Sequence, residues 1–345
     1  MPNENESMYE LQFPAPFVAN PGAEGPTLVV ALNGYADAGH AVDSSADHLL
    51  AALDHRLLAS FNSDELIDYR SRRPAVTIDH NTVVDANDVQ LEINVLRDSK
   101  GTSFLLLSGP EPDLRWDGFT RAVAEIVDKF KVSQTLCLYA APMTVPHTRP
   151  LVVTAHGNAA HLIDSQFTLD SKITVPGSAS LHLERLLNKE GHDVAGYTAH
   201  VPHYLSSSNY PQATLSLLQA VSDVTGLELP LRSLEADAQR SAQQIEEQVA
   251  ASLEVEQLVR MLEQQYDEEL ERYQERHPNA LMPHENEVNA ETLGEEFERF
   301  LAELDAESGN PQYKDESSSD PSLGLPKASG ETDDLDDSGD KPTNE

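Results

Sequence analysis

The sequence is poor in cysteine and in basic residues, and it has no long apolar run. Cys137 is the single thiol among 345 residues, so no internal disulfide can form and a reducing compartment is expected. No run approaches the roughly 20 apolar residues that a membrane-spanning helix needs. Lysine and arginine total 23 against 59 aspartate and glutamate residues, a formal charge of −36. Such a surface repels phosphate backbones and anionic lipids, which argues against nucleic-acid or membrane binding.

The N-terminal region carries no sign of export. The residues MPNENESMYE have neither the basic segment nor the apolar segment of a secretory signal. A cytoplasmic protein is therefore expected. Residues 1–26 are polar and rich in proline, which predicts an irregular lead-in with one edge strand near residues 9–13.

Residues 27–230 alternate between strand-like and helix-like segments. Continuous apolar runs such as TLVVAL at residues 27–32 are typical of strands that are covered on both faces. We predict strands at residues 27–32, 57–61, 76–78, 89–95, 104–107, 135–141, 151–155, 173–175 and 194–199, with a turn at residues 85–88. Helical spacing and helix stop signals predict helices at residues 38–53, 116–130, 179–189 and 213–225. The alternation predicts one α/β domain, a three-layer α/β/α sandwich.

The C-terminal part has a different character. Residues 231–276 contain no glycine or proline, and apolar residues recur at helical spacing among glutamate and glutamine. They predict one long amphipathic helix of about 70 Å, or a pair of shorter helices. With a last helix at residues 293–304, they make up a predicted helical appendage over residues 231–305. Residues 306–345 are acidic and almost without apolar side chains, so we expect a disordered tail.

A polar connector at residues 145–150 carries the richest side-chain chemistry. Prolines fix its backbone, and His147, Thr148 and Arg149 stand side by side on it. Arginine can hold a carboxylate or phosphate through a two-pronged contact, and histidine can transfer protons near neutral pH, so these residues suit an anion site. The alternative is structural: Arg149 pairs with a buried carboxylate and His147 bonds a backbone carbonyl, which would pin the connector or a subunit interface.

Two further groups of candidate residues follow predicted strands. Asn33, Gly34, Asp37 and Gly39 lie between the first strand and a helix. Ligands bind at such places in open α/β sheets, and helix N–H groups attract anions. Asp37 is equally suited to cap that helix and would then occupy the same donors. Glu111 follows another strand and could act as a general base, although the prolines on either side of it indicate a rigid turn.

His156 and His203 complete the candidate ligand-binding or interface residues. The histidines of this region fit no zinc-ligand spacing, and Pro202 prevents His200 and His203 from sharing a helix face. The sequence has no G-x-S-x-G motif, and Cys137 lies within a strand-like run, where thiols are usually inert. No catalytic residue, metal or cofactor is therefore predicted.

Several motifs in a fixed order point to one family. They are GYADAGHAV, SGPEPDLRW, PMTVPHTRP, VTAHGN and a long motif from residue 196 that begins GYTAHVPHYL. Over residues 8–305 the chain resembles the long actinobacterial form of the proteasome-assembly-chaperone-2 family. The resemblance implies a phosphorylase/hydrolase-like α/β/α fold with a C-terminal helical appendage. It also implies a homo-oligomer, with a trimer expected, and a role near assembly of the core proteasome.

Two hypotheses about function follow. In the first, the protein is a non-enzymatic, homo-oligomeric chaperone or adaptor whose partners include core proteasome subunits. In the second, it is a small-ligand-binding protein or an enzyme, in which Arg149 holds an anion at the strand ends and His147 or His203 moves a proton. A ligand site requires Arg149 and His147 to face a common cavity, whereas a structural role leaves their polar atoms bonded to protein.

Overall fold

A computed structural model describes residues 8–16, 18, 25–86 and 88–277 of the chain. Its strands are β1 (Tyr9–Leu11), β2 (Thr27–Asn33), β3 (His55–Phe61), β4 (Val76–Asp79), β5 (Thr82–Ala86), β6 (Glu92–Arg97), β7 (Ser103–Pro110), β8 (Gln134–Met143), β9 (Val153–Gly157), β10 (Phe167–Thr168) and β11 (Val194–Pro202). Its α-helices are α1 (Ala41–Ala52), α2 (Ser63–Leu66), α3 (Trp116–Phe130), α4 (Ala160–Ile163), α5 (Ala179–Glu190), α6 (Pro211–Thr225), α7 (Arg232–Ala250) and α8 (Leu253–Arg276).

Nine strands form one mixed sheet in the order β1-β3-β6-β7-β2-β8-β11-β9-β10. The central strands β7, β2, β8 and β11 are parallel, and antiparallel β6 and β9 flank them on either side. Helices cover both faces. Val42 of α1, Leu217 of α6 and Leu234 of α7 pack on one face, while Phe119 of α3 and Leu183 of α5 pack on the other. The predicted three-layer α/β/α sandwich is confirmed.

The apolar run of β2 shows why these strands carry no polar face. Val29 and Ala31 point into the layer of α1 and α6, whereas Leu28 and Val30 point into the layer of α3 and α5. All four are buried. Successive side chains of a strand leave on opposite faces, so a strand between two helical layers needs apolar residues at every position.

The helix predictions for residues 27–230 are confirmed, and two helix starts are corrected. α3 has the predicted bounds, and Gly191 and Gly226 cap the C-terminal ends of α5 and α6 as expected. α6 begins at Pro211 and not at residue 213. α1 begins at Ala41 and not at residue 38, because a 3-10 turn at Ala38–His40 precedes it. The predicted edge strand near residues 9–13 is β1, which pairs antiparallel with β3 at the margin of the sheet.

One strand prediction and one turn prediction were wrong. Residues 173–175 form no strand and lie exposed between β10 and α5. Their β-branched side chains favour a strand, but no strand of the described residues lies beside them to pair with their backbone. The turn predicted at residues 85–88 is also wrong at its start, since Asp85 and Ala86 belong to β5. β5 pairs antiparallel with β4 in a separate two-stranded sheet. Polar residues between the apolar ones of this hairpin concealed the second strand.

The C-terminal region is a pair of helices. α7 ends at Ala250 and α8 starts at Leu253, where the Ser252 hydroxyl accepts a hydrogen bond from the Val255 N–H at 3.5 Å. The pair that the sequence allowed is thus observed, and the single 70 Å helix is not. The predicted helix at residues 293–304 and the predicted disordered tail lie outside the described residues, and the domain boundaries stay predictions. No helix in the described part of the chain is both long and apolar enough to cross a membrane.

Candidate functional site

The connector between β8 and β9 is fastened to α8 by Arg149. The Arg149 guanidinium donates from Nε to Asp267 Oδ1 at 2.8 Å and from Nη2 to Asp267 Oδ2 at 2.9 Å. Its Nη1 lies 3.3 Å from Glu263 Oε1, and the Thr148 hydroxyl donates to the same oxygen at 2.6 Å. The two-pronged contact is the geometry that arginine offers a carboxylate. The hydrogen bond from Arg149 holds the pKa of Asp267 below its usual range.

His147 turns away from Arg149 and toward Tyr204. The His147 backbone N–H donates to the Tyr204 hydroxyl at 2.9 Å, and His147 Nδ1 lies 2.8 Å from that hydroxyl. Burial lowers the pKa of His147, although the nearby carboxylates of Glu246 and Glu263 act in the opposite direction. Its Nε2 is buried and has no hydrogen-bond partner among the described residues. The neutral imidazole is therefore the form that this environment favours.

α8 closes over the connector along its length. Val259 and Leu262 are buried, and the Tyr266 hydroxyl donates to the Pro150 carbonyl at 2.8 Å. The space left beneath the helix beside Arg149 is a cavity of 10 Å³, whose lining includes Tyr266 and His200. A cavity of this size holds about one water molecule. Arg149 and His147 therefore do not open into a common ligand-sized cavity there.

The strand-end candidates form a second group, in which Glu111 is already bonded. Glu111 Oε1 accepts the Ala179 N–H at the start of α5 at 2.7 Å, and its Oε2 accepts the Tyr35 N–H at 3.4 Å. The chain passes so close that a Cβ at Gly34 would lie 2.2 Å from Glu111 Oε2. Asn33 donates from Nδ2 to Asp43 Oδ1 at 2.6 Å. The Glu111 carboxylate thus occupies the helix N–H that an anionic ligand would need.

Asp37 and Gly39 build the turn that leads into α1. The Asp37 carboxylate accepts the Val42 N–H at 2.7 Å and the Asp43 N–H at 3.4 Å, so it caps α1 from beyond the 3-10 turn. Burial raises the pKa of Asp37, while these two hydrogen bonds act to lower it. Gly39 bonds through its backbone N–H to the Ser206 carbonyl at 2.7 Å. Both residues serve the local backbone here.

His156 lies apart from both groups, in a partly buried polar cluster that sequence analysis missed. His156 Nε2 is 3.0 Å from Glu184 Oε2, within ion-pair distance. The Tyr139 hydroxyl donates to Glu184 Oε1 at 2.5 Å. Gly196 makes room for the cluster, since a Cβ there would lie 2.5 Å from His156 Cε1. Burial acts to lower the pKa of His156, but the Glu184 carboxylate outweighs it and the pKa is raised.

Only pairing across the sheet could have revealed this cluster from the sequence. Cys137 faces Gly196 on the neighbouring strand, and Gly196 in turn faces His156. Glu184 reaches the row from α5. Burial raises the pKa of the Cys137 thiol well above its usual range, so the thiolate needed for a nucleophile or a metal ligand is disfavoured.

The structure therefore distributes the candidate residues over separate places. His203 is exposed and touches only the ring of Tyr204 among the aromatic contacts described, at a centroid distance of 5.3 Å. Within the described residues no group of three or more histidine, cysteine, aspartate or glutamate side chains could hold a metal ion. The contacts of these residues fasten the β8–β9 connector to α8, cap the start of α1 and link α5 to the sheet.

The match to known proteins is extensive. The profile of the PAC2 family matches residues 31–249, which is more than half of the chain. The chain belongs to the PAC2 family. The resemblance seen in the sequence motifs is thereby confirmed. No curated protein matches the chain.

Solved structures similar to this PAC2 protein include two of unknown function. One, from Corynebacterium glutamicum ATCC 13032, is 60% identical, with a TM-score of 0.76 over 78% of this chain and 100% of that chain. The other, from Mycobacterium tuberculosis, is 49% identical, with a TM-score of 0.74 over 77% of this chain and 92% of that one. A Mycobacterium tuberculosis proteasome-assembly chaperone homologue is 26% identical, with a TM-score of 0.61 over 68% and 99% of the two chains.

The residues that form the Arg149 contact lie partly inside and partly outside the segment that matches the PAC2 profile. Thr148 and Arg149 lie inside the matched residues 31–249, whereas Glu263 and Asp267 on α8 lie beyond them. The connector thus belongs to the part of this PAC2 protein that the profile matches. The carboxylates that bind Arg149 belong to α8, which follows the matched segment.

Proposed function

We propose that this PAC2 protein is a non-enzymatic, chaperone-like protein that acts through protein–protein contacts as a homo-oligomer, with a trimer expected. Its proposed clients are core proteasome subunits, which would place it in the cytoplasm. The PAC2 family and the similarity to a Mycobacterium tuberculosis proteasome-assembly chaperone homologue support the chaperone-like role. The bonding of Arg149, Glu111 and Asp37 to protein groups supports a non-enzymatic role.

Binding of an anionic ligand at the connector is disfavoured because the charge of Arg149 is already neutralised by carboxylates of α8. Arg149 is held by Asp267 and Glu263, and the adjoining cavity of 10 Å³ admits about one water molecule. An anionic ligand would first have to displace two carboxylates and lift α8. Both carboxylate oxygens of Glu111 likewise accept hydrogen bonds from backbone N–H groups.

The observation that carries the proposal is the hairpin of β4 and β5. Every residue of its two strands is exposed. Cross-strand partners share a face, so the register places Val76 opposite Ala86 and Ile78 opposite Val83 on one apolar face. Thr77 and Asp79, with their partners, lie on the polar face, and the register shift beside Ile78 leaves Val84 as the extra residue of a bulge.

An isolated two-stranded hairpin is marginally stable in water, and an exposed apolar face marks an interaction surface. Ile78 is 65% exposed and Val83 63% exposed, although they face each other as core residues of a sheet would. We assign this face to a second copy of the chain. The positions before the hairpin support a like partner, since Arg70 and Arg73 are exposed and form no ion pair among the described residues, while the rest of the chain is strongly acidic.

The test of self-association measures molar mass by light scattering after size-exclusion chromatography. The wild-type chain should run as an oligomer. Replacing Ile78 and Val83 together by glutamine should shift the mass toward the monomer, because it removes the apolar contact. The matched control replaces Thr77 and Thr82 by glutamine on the polar face of the same hairpin and should keep the oligomer. A wild-type monomer at micromolar concentration, or equal behaviour of both variants, contradicts the proposal.

The client assignment needs a separate measurement. Tagged wild-type chain is expressed in the cells that naturally make it, and the recovered proteins are identified by mass spectrometry. Recovery of proteasome α or β subunits, reproduced with purified subunits, is the expected result. If no proteasome subunit is recovered and the purified subunits do not bind, the client is wrong even though self-association stands.

A further inference from the structure

The segment between β10 and α5 has the composition of a strand, but no strand of the described part of the chain pairs with it. We call residues 171–177, with the sequence SKITVPG, the strap. All of its residues are exposed, and residues 172–177 run without a turn or bend. Isoleucine, threonine and valine favour strands, and the residue before a proline is held in an extended conformation. Within the described part of the chain, the strap makes no backbone–backbone hydrogen bond.

Both ends of the strap are fixed in place. Before it, the Thr168 N–H donates to the Tyr273 hydroxyl at 3.1 Å, and Asp170 pairs with His277 at 2.9 Å. After it, the Ser178 hydroxyl caps α5 by accepting the Leu181 N–H at 3.1 Å. The strap is therefore an extended segment presented at the surface, with its backbone N–H and C=O groups unpaired by secondary structure.

The side chains of the strap divide between two faces in the same way as those of the hairpin. In extended backbone, Ile173 and Val175 share one face, and Lys172 and Thr174 share the other. Ile173 and Val175 are each 54% exposed. Lys172 is exposed and forms no ion pair among the described residues. The strap thus has an apolar face and a cationic polar face.

The hairpin offers what the strap lacks. Among the described residues no strand pairs with either outer edge of the hairpin. Its apolar face holds Ile78 and Val83, and its polar face holds the carboxylates of Asp79 and Asp85. If the strap were added as a third strand at an outer edge, Ile173 and Val175 would extend the apolar face of the hairpin. Lys172 would then lie on the same side as these carboxylates. A third strand would also make this sheet more stable, since an isolated two-stranded hairpin is only marginally stable in water.

We propose that the strap of one copy adds as a strand to the edge of the β4–β5 hairpin of a second copy. This inference rests on the proposed self-association and names the surface that receives the hairpin. The contact is β-strand addition, in which backbone hydrogen bonds supply affinity and alternate side chains supply specificity. It joins two different surfaces of the same chain, and head-to-tail contacts of this kind close into rings when the rotation between copies permits.

The test is a cross-link between two single-cysteine variants. Cys137 is fully buried, so it leaves the surface free of reactive thiols. Chains carrying Thr82→Cys on the hairpin are mixed with chains carrying Thr174→Cys on the strap and treated with a short bismaleimide. The expected product is a covalent dimer in the mixture, without dimer in either variant alone. Gln243→Cys, at an exposed position of α7, replaces Thr174→Cys in the control mixture and should give no dimer.

A charge exchange tests the same contact without a reagent. Lys172→Glu should weaken self-association about tenfold, because it places a carboxylate beside Asp79 and Asp85. Adding Asp85→Lys to that variant should restore most of the affinity. An oligomer that persists with a dimer in Thr82→Cys alone indicates hairpin-to-hairpin contact and overturns this inference only. A wild-type monomer removes the proposed self-association as well.

Discussion

His200 lies on β11 with its Nε2 atom 3.2 Å from the Thr154 hydroxyl. Burial lowers the pKa of this imidazole from 6.5 to about 4. Protonation therefore favours the unfolded chain, in which the pKa keeps its ordinary value. The contribution of His200 to stability is complete above pH 6.5 and is lost as the pH falls toward 4. His156, whose pKa is raised, has the opposite dependence: its contribution is complete below pH 6.5 and is lost as the pH rises through the raised pKa.

The first prediction concerns His200→Gln. The free energy of unfolding of the wild-type chain, measured in urea, should fall between pH 7 and pH 4.5. In the variant this fall should be smaller by roughly 2–3 kcal/mol, since each pKa unit corresponds to about 1.4 kcal/mol. His203→Gln, an exposed histidine close in sequence, is the matched control and should keep the wild-type dependence. Equal dependence in wild type and His200→Gln would contradict the assignment.

At the level of elements, α8 is joined to the core by polar contacts as much as by apolar ones. Arg149 is 30% exposed and Asp267 49% exposed, so solvent screens their interaction, although its two-pronged geometry is favourable. The apolar contribution comes from Val259, Leu262 and Tyr266, which are buried. We therefore expect α8 to open locally at a lower cost than the central strands.

The second prediction is that Arg149→Leu speeds amide hydrogen exchange in α8. A loss of about 1 kcal/mol corresponds to roughly fivefold faster exchange where α8 opens locally. Exchange in β8 and β2 should not change. The control is Arg260→Leu, which removes an exposed ion pair with Glu256 inside the same helix and leaves the connector contact intact. Acceleration of equal size in both variants would mean that the connector contact does not hold α8.

Elements with a strong local pattern could be predicted from the sequence. The apolar spacing of α3 and the glycine stops of α5 and α6 are local signals, and the structure has these helices. β4 was predicted at residues 76–78 and is confirmed, whereas the strand predicted in the strap and the turn predicted where β5 runs were wrong, because a strand is defined by its partner. Ile173 and Val175 have the right side chains without a neighbouring strand, whereas β5 has a neighbour that its polar residues concealed.

The candidate site shows the same limit at longer range. His147, Thr148 and Arg149 were found because they are adjacent in sequence. Their partners lie more than 50 residues away, in Tyr204 and α8. Tyr139 and Glu184, which are 45 residues apart, look in the sequence like an ordinary strand residue and an ordinary helix residue. Tertiary structure alone brings such groups together, so the sequence could name the arginine without naming the carboxylates that occupy it.

At the scale of the whole molecule, the dominant electrostatic fact is the formal charge of −36. Like charges at this density repel one another in the folded state, and unfolding lets them move apart. Salt shortens the range of this repulsion, from a Debye length of about 30 Å at 0.01 M to about 10 Å at 0.1 M. Specific pairs such as Arg149 with Asp267 respond in the opposite sense, because salt weakens attraction too. Because carboxylates far outnumber cations, we expect the weakening of repulsion by salt to exceed the weakening of attraction.

The third prediction is that the thermal midpoint of unfolding rises when NaCl is increased from 0.01 to 0.1 M at pH 7.5. The chain concentration is held fixed, so that any change in association is the same in each scan. The control repeats the series near the sequence isoelectric point of about 4.5, where the net charge vanishes and the rise should disappear. A midpoint that falls with salt at pH 7.5 would show that specific ion pairs outweigh the repulsion. The acidic surface would then stabilise the fold through its few cations.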